Sequence, residues 1–253
     1  GHRILKELAI QSRQATVERE EKRMRLDKLV SHGAGISRKE AADAIRSGRV
    51  LVDGQAVTRP ETHCDEGSAI TLDGNPIVTG NRYYMLNKPA GVICSTRDAK
   101  GPTVLDLLPV YLRRDLFPAG RLDKDTEGFV LLTNDGAFAH RMLSPKKKIG
   151  KTYRVTLDAP FSLETLQQAF AQPMDLGDGD ITSPARLRLI EDGDRPVAEL
   201  VIYEGRFHQV KRMFGRFGLK VIALKREAIG GLVLDPGLAP GQWKPLTQQD
   251  LAK

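Results

Sequence analysis

Phe117-Pro118-Ala119-Gly120-Arg121-Leu122-Asp123-Lys124-Asp125-Thr126-Glu127-Gly128-Phe129-Val130-Leu131-Leu132 decides how this chain is read. A polar loop runs straight into a short apolar run. Such a run, bounded by turn residues, predicts a buried strand, and the loop ahead of it can hold charged groups above a rigid sheet. Working outward, strands are expected at residues 82–86, 91–95, 128–133, 152–157, 185–190, 197–203, 221–226 and 232–234. Helices are expected at 103–108, 138–143, 163–171 and 208–217. Strands outnumber helices, and the helices are too few for regular βαβ alternation. The fold class is therefore α+β, with a mixed, largely antiparallel sheet and flanking helices over residues 82–253.

Upstream the pattern changes. Ser37-Arg38-Lys39-Glu40 has the spacing of a helix capping box, Ala41, Ala42 and Ile45 follow as an apolar stripe, and Gly48 stands where a helix C-terminal glycine belongs. Asp53-Gly54 between apolar runs is a hairpin signal. A strand at 69–72 is followed by a second Asp-Gly pair at Asp73-Gly74. Residues 24–80 thus form a small helix/hairpin domain, made basic by Arg25, Lys28, Arg38, Lys39, Arg46 and Arg49. Residues 75–81 read as a linker. Residues 1–23 read as a charged extension or a vector-derived segment.

The 253 residues carry 39 Lys and Arg against 32 Asp and Glu, a formal charge of +7. That balance suits a polyanionic partner such as nucleic acid, although a plain basic surface accounts for it equally well. The two cysteines, Cys64 and Cys94, lack metal-ligand spacing, so no metal is expected, and their scarcity suits a reducing cytoplasm. No stretch approaches the roughly 20 apolar residues of a membrane span. There is no phosphate loop, dinucleotide fingerprint, H-E-x-x-H or G-x-S-x-G. Nucleotide-driven, redox, zinc-protease and serine-hydrolase chemistries are poor fits.

Three segments have residue types suited to chemistry. Asp123 is a candidate nucleophile or general acid/base, yet acidic loop residues more often cap turns, and spacing alone favours capping for Asp123 and Asp125. Arg121 either pairs with Asp123, binds a phosphate or is simply solvated. Tyr153, on the alternating run 151–157, either stacks a base or is a half-buried strand aromatic. In 204–218, Phe207, Val210, Met213, Phe214 and Phe217 fall at helical spacing and are expected to be buried. Lys211, Arg212 and Arg216 then face elsewhere, able to meet phosphates or only solvent. His208 lacks a second ligand at fixed spacing and suits hydrogen bonding or positioning.

Taken together, these segments resemble the ribosomal pseudouridine synthases of the RsuA type. The likeness rests on Leu86-Asn87-Lys88-Pro89-Ala90-Gly91, on Gly120-Arg121-Leu122-Asp123 with Thr126-Glu127-Gly128 and Leu131-Leu132-Thr133-Asn134-Asp135-Gly136, on Lys151-Thr152-Tyr153, and on Gly205-Arg206-Phe207-His208-Gln209-Val210-Lys211-Arg212-Met213. Residues 24–80 resemble the S4 RNA-binding domain, through Arg25-Leu26-Asp27-Lys28, the helix after Ser37 and the strand at 49–53. The resemblance implies isomerisation of uridine to pseudouridine in RNA without redox cofactor, nucleotide or metal. It implies Asp123 as nucleophile, Tyr153 as the aromatic stacked on the base and Lys211 as a cation paired with the aspartate. Arg121, Arg206, His208, Gln209 and Arg212, with the basic residues of the first domain, are the expected RNA contacts. Phe129 stands where leucine is more usual. The Pro118-Ala119 pair, the 204–213 segment and the end at Lys253 without a long basic tail resemble the small-subunit branch. The expected substrate is 16S ribosomal RNA or a small-subunit assembly intermediate, with 23S RNA or a non-catalytic assembly factor as alternatives. A monomer is expected.

Overall fold

The computed structural model describes residues 23–65 and 67–252. Apart from Arg23, the extension expected at 1–23 lies outside them. The chain divides into two compact units. One holds the described residues up to Gly80 together with Val110–Arg114, and the other holds Asn81–Pro109 and the described residues from Asp115 onward. The Val110–Arg114 segment was not legible, because a run so short has no period to read.

In the first unit, α1 (Leu26–Ala34) and α2 (Arg38–Arg46) bury Leu26, Leu29, Val30, Ala41, Ala44 and Ile45 against β2 (Val50–Val52) and β5 (Ile70–Leu72). The capping box forms: the Ser37 backbone N–H donates to Glu40 at 2.7 Å, and the Glu40 N–H donates to the Ser37 hydroxyl at 3.2 Å. Gly48 takes the left-handed conformation (φ 74°) just past the end of α2. Asp53-Gly54 and Asp73-Gly74 all have positive φ, as tight hairpin turns require. They connect β2 to β3 (Gln55–Ala56) and β5 to β6 (Asn75–Ile77). The expected linker at 75–81 therefore begins as a strand: the second turn folds the chain back to pair Ile77 with Ile70. A two-residue pair, β1 (Met24–Arg25) with β4 (His63–Cys64), completes the unit.

The second unit is the α+β layer. Its sheet runs β11 (Arg186–Glu191), β12 (Val197–Ile202), β10 (Lys151–Leu157), β13 (Val221–Ile229), β9 (Glu127–Thr133), β7 (Tyr83–Lys88), β15 (Trp243–Pro245). Two short strands, β8 (Phe117–Ala119) and β14 (Leu232–Val233), pair beside β9 and β13. Among these pairings only β9 with β13 is parallel. In β9, Phe129, Val130, Leu131 and Leu132 are all fully buried, which explains a continuous rather than alternating apolar run. Helix α3 (Gly136–Leu143), capped by the Asp135 carboxylate accepting from the Phe138 N–H at 2.9 Å, packs Ala139 into the cluster of Tyr83, Met85, Phe129 and Ile229. Helix α4 (Leu163–Phe170) meets α5 (Gln209–Gly215) through an edge-on Phe170–Phe214 contact at 5.1 Å.

Several expectations need correction. Residues 91–95 are not a strand. Gly91 turns at φ 88°, and only Ile93 bridges, to Thr103. The helix expected at 103–108 is a single 3-10 turn, Val104–Leu107. Helix α5 is shorter than 208–217 because His208 sits in the left-handed region (φ 48°, ψ 35°), which keeps Phe207 off the helix. Phe207 is 75% exposed and Phe217 39% exposed, so the buried stripe is only Val210, Met213 and Phe214. Pro118 falls in the segment read as a polar loop, yet as an edge residue of β8 it needs no ladder N–H.

Candidate active site

Asp123 lies in the loop between β8 and β9. Gly120 (φ 89°) opens that loop, and the Thr126 N–H closes it on the Asp123 carbonyl at 3.0 Å. Lys88, the last residue of β7, clamps it from below. Its side chain is fully buried, and its ammonium donates to the carbonyls of Pro89 (2.9 Å), Lys124 (3.0 Å) and Thr126 (2.6 Å). Burial pulls the Lys88 pKa down, opposed by the surrounding acids. Three carbonyls around the ammonium offset much of its lost hydration. Gly128 allows the close crossing behind the loop. A Cβ there would sit 2.2 Å from the Arg226 carbonyl oxygen, and φ is 104°.

The loop faces an open cleft. Tyr153, on β10 and buried, lines it beside Asp123, with Leu122, Ile202, Val210 and Leu224 as apolar wall. Arg226 lies opposite Tyr153 in the β10–β13 register and donates to the Phe129 carbonyl at 2.9 Å. Helix α5 and the residue before it supply the neighbours of Asp123. Lys211 Nζ stands 3.4 Å from Asp123 Oδ2, and His208 Nε2 stands 3.5 Å from Asp123 Oδ1. Lys211 makes its short contacts elsewhere, at 2.7 and 2.9 Å to the Asp125 carboxylate. The expected Lys211–Asp123 pair is thus a shared cation, with Asp125 its nearer partner. Burial pulls the Lys211 pKa down, but the two aspartates outweigh it and raise it above the ordinary lysine value. The Lys211 hydrogen bond holds Asp125 below the usual carboxylate range. Asp125 is largely exposed, so the pair adds little stability; its consequence is to aim Lys211 along the rim.

The expected RNA contacts divide. Arg121 is exposed at the cleft, and His208 lines it. Arg206 and Arg212 both donate to Asp180, the latter at 2.7 Å. Gln209 lines the cleft too. It is buried, its amide donating to Glu204 at 2.6 Å while its carbonyl accepts from the Arg206 N–H at 3.1 Å, so it fixes the turn. In the first unit, Arg25 and Arg38 are bound to the buried Asp27 (2.8 and 3.0 Å), Arg49 to Asp73 (2.8 Å) and Arg46 to Asp43 (3.2 Å). Lys28 and Lys39 are exposed. Sequence reasoning missed the roles of Lys88, Asp125 and Asp180. A lysine closing the wholly apolar strand run Tyr83-Tyr84-Met85-Leu86 was the one available signal, for Lys88.

Comparison with known proteins identifies the family. The RNA pseudouridylate synthase family pattern matches residues 82–215, and the S4 domain pattern matches residues 24–70. The chain is 46% identical over 232 residues to ribosomal small subunit pseudouridine synthase A of Yersinia pestis, covering 90% of this chain and 97% of that one. Identity to the protein of the same name from Escherichia coli (strain K12) is 45%, covering 90% and 99%. A crystal structure of a pseudouridylate synthase, 40% identical, superimposes with a TM-score of 0.64, covering 91% of this chain and 99% of the other. With the expected cleft, the matching family pattern and this identity over nearly the whole length, the chain belongs to the RNA pseudouridylate synthases, enzymes that isomerise uridine in RNA to pseudouridine, and carries an S4 domain ahead of the catalytic one.

Proposed function

We propose that this protein isomerises one uridine of the 16S RNA of the small ribosomal subunit, free or in an assembly intermediate, with Asp123 as the nucleophile. The observation that carries the reading is the convergence of Asp123, Tyr153 and Lys211 on one cleft, on a chain whose near-full-length relatives are named as small-subunit enzymes. In the reaction the uracil N1 bond to the sugar breaks, the ring turns, and C5 bonds to the sugar carbon; C5 loses a proton and N1 carries one in the product. No atom is gained, so no redox partner or nucleotide is required. A carboxylate suits the step because the sugar carbon becomes electron-poor as N1 departs, as in glycoside cleavage.

Each neighbour has a role. Tyr153 stacks on the uracil, Lys211 and His208 orient Asp123, and the Lys88 clamp fixes the loop in register with them. A base inside folded RNA must be flipped out to enter such a cleft. Arg121 at the cleft contacts phosphate. Residues 24–80 act as the S4 module, with Lys28 and Lys39 supplying salt-sensitive backbone contacts. The protein acts as a monomer, in the cytoplasm where ribosomal RNA is processed. The test is tritium release from 16S transcript carrying 5-tritiated uridine. Wild-type protein should release label from a single site and Asp123→Asn none. Full activity of Asp123→Asn would reject the nucleophile, and release from 23S but not 16S transcript would reject the substrate.

A further inference from the structure

Phe207 has no part in the chemistry above. It is the most exposed aromatic side chain among the described residues, at 75%. It lines the space beside the cleft, shared with Arg121, Lys124 and Asp123, and not the space around Tyr153. One ring face lies flat on His208, with centroids 3.8 Å apart and planes 19° from parallel. The other face is open to solvent.

The backbone holds it there. His208 adopts the left-handed conformation, unfavourable for a residue with a Cβ. The turn is pinned because Gln209 donates its N–H to the Arg206 carbonyl and accepts from the Arg206 N–H, both at 3.1 Å. Buried Gln209 is itself tied to Glu204. A strained, fixed turn displaying an apolar ring in water points to a use for that ring. Arg121 and Lys124 are exposed around that space, with Asp125 as the exposed acid, held by Lys211.

Resting on the reading that the cleft takes a flipped uridine, we propose that Phe207 is a stacking platform for the nucleotide beside the target uridine. Removing one base from a strand leaves its neighbour with an uncovered face. An aromatic ring beside the cleft supplies a replacement surface without reading sequence, and the adjacent cations meet the flanking phosphates. His208 serves as the ring's second tier, linking the platform to the Asp123 carboxylate.

The experiment uses 16S fragments with 2-aminopurine on either side of the target, bound to full-length protein in the Asp123→Asn background, with turnover measured separately in otherwise wild-type protein. The Phe207 ring should quench one of the two probes. Phe207→Leu should abolish that quench and weaken binding about 5- to 100-fold, the effect of one base–aromatic stack. Phe207→Tyr should restore both, and thermal stability should not change because the side chain is exposed. A Phe207→Leu protein that quenches and binds as wild type overturns the proposal. So does a binding loss that tyrosine fails to rescue, which would mark an apolar contact, with RNA or with a protein, rather than a stack. Quenching without turnover by wild-type protein would refute the proposed function alone.

Discussion

Replacing Lys88 with methionine tests whether the catalytic loop is held by one buried ammonium. The substitution keeps the length and the apolar stem but removes the donor shared by the carbonyls of Pro89, Lys124 and Thr126. A buried acceptor left without a partner costs about 1–3 kcal/mol; the Lys124 carbonyl keeps the Gly91 N–H at 2.8 Å, so the carbonyls of Pro89 and Thr126 together cost roughly 2–6 kcal/mol. Relief of the ammonium's desolvation returns part of that. A net loss of about 3 kcal/mol is expected, which for a unit of this size lowers Tm by roughly 6–12 °C. The loop also loses its registration with Tyr153 and Lys211, and a displacement of about 1 Å at a reacting group costs on the order of 100-fold in rate. Thermal unfolding by circular dichroism and tritium release give the two readings. A Lys88→Met protein with Tm within about 2 °C of wild type and unchanged kcat would refute the clamp.

Lys211→Met should lower kcat about 100-fold or more while KM moves little, since the cation orients Asp123 rather than holding RNA; single-turnover kinetics separate the two. Gly128→Ala forces a Cβ to 2.2 Å from a backbone oxygen at φ 104° and should prevent stable folding of the catalytic unit, read as loss of the cooperative thermal transition. Burial, followed by its hydrogen bond to Asp135, pushes the Tyr83 hydroxyl from 10.0 up to about 12. The folded state therefore favours the neutral phenol. That stabilisation is complete below pH 10 and drains away between about 10 and 12, so unfolding free energy should fall across that window and less so in Tyr83→Phe. Lys39→Ala should reduce the slope of log affinity against log salt by about 1, without changing which uridine is modified.

What was legible in the sequence was what is local. The run 129–132 gave the central strand, the two Asp-Gly pairs gave the hairpins, and Ser37 with Glu40 gave the start of a helix. The motifs containing Asp123, Tyr153 and Lys211 were readable one by one, and the sheet brings them together. Charged groups folded inward were not legible, because pattern reading treats charge as exposure. Lys88 and Arg226 are buried on strands and donate to carbonyls far away in sequence. The sharing of Lys211 between Asp123 and Asp125, and the capture of Arg206 and Arg212 by Asp180, are side-chain pairings with no local periodicity. Phe207 was misread for a related reason: helical spacing continued through it, while a single left-handed residue ended the helix one position later.

The central claim is that Asp123 drives isomerisation of one uridine in small-subunit RNA. Pseudouridine mapping across 16S and 23S RNA from cells lacking the protein tests it most directly. The account predicts loss of one 16S pseudouridine, restored by the wild-type gene and not by Asp123→Asn. An unchanged 16S map, or restoration by Asp123→Asn, would contradict it.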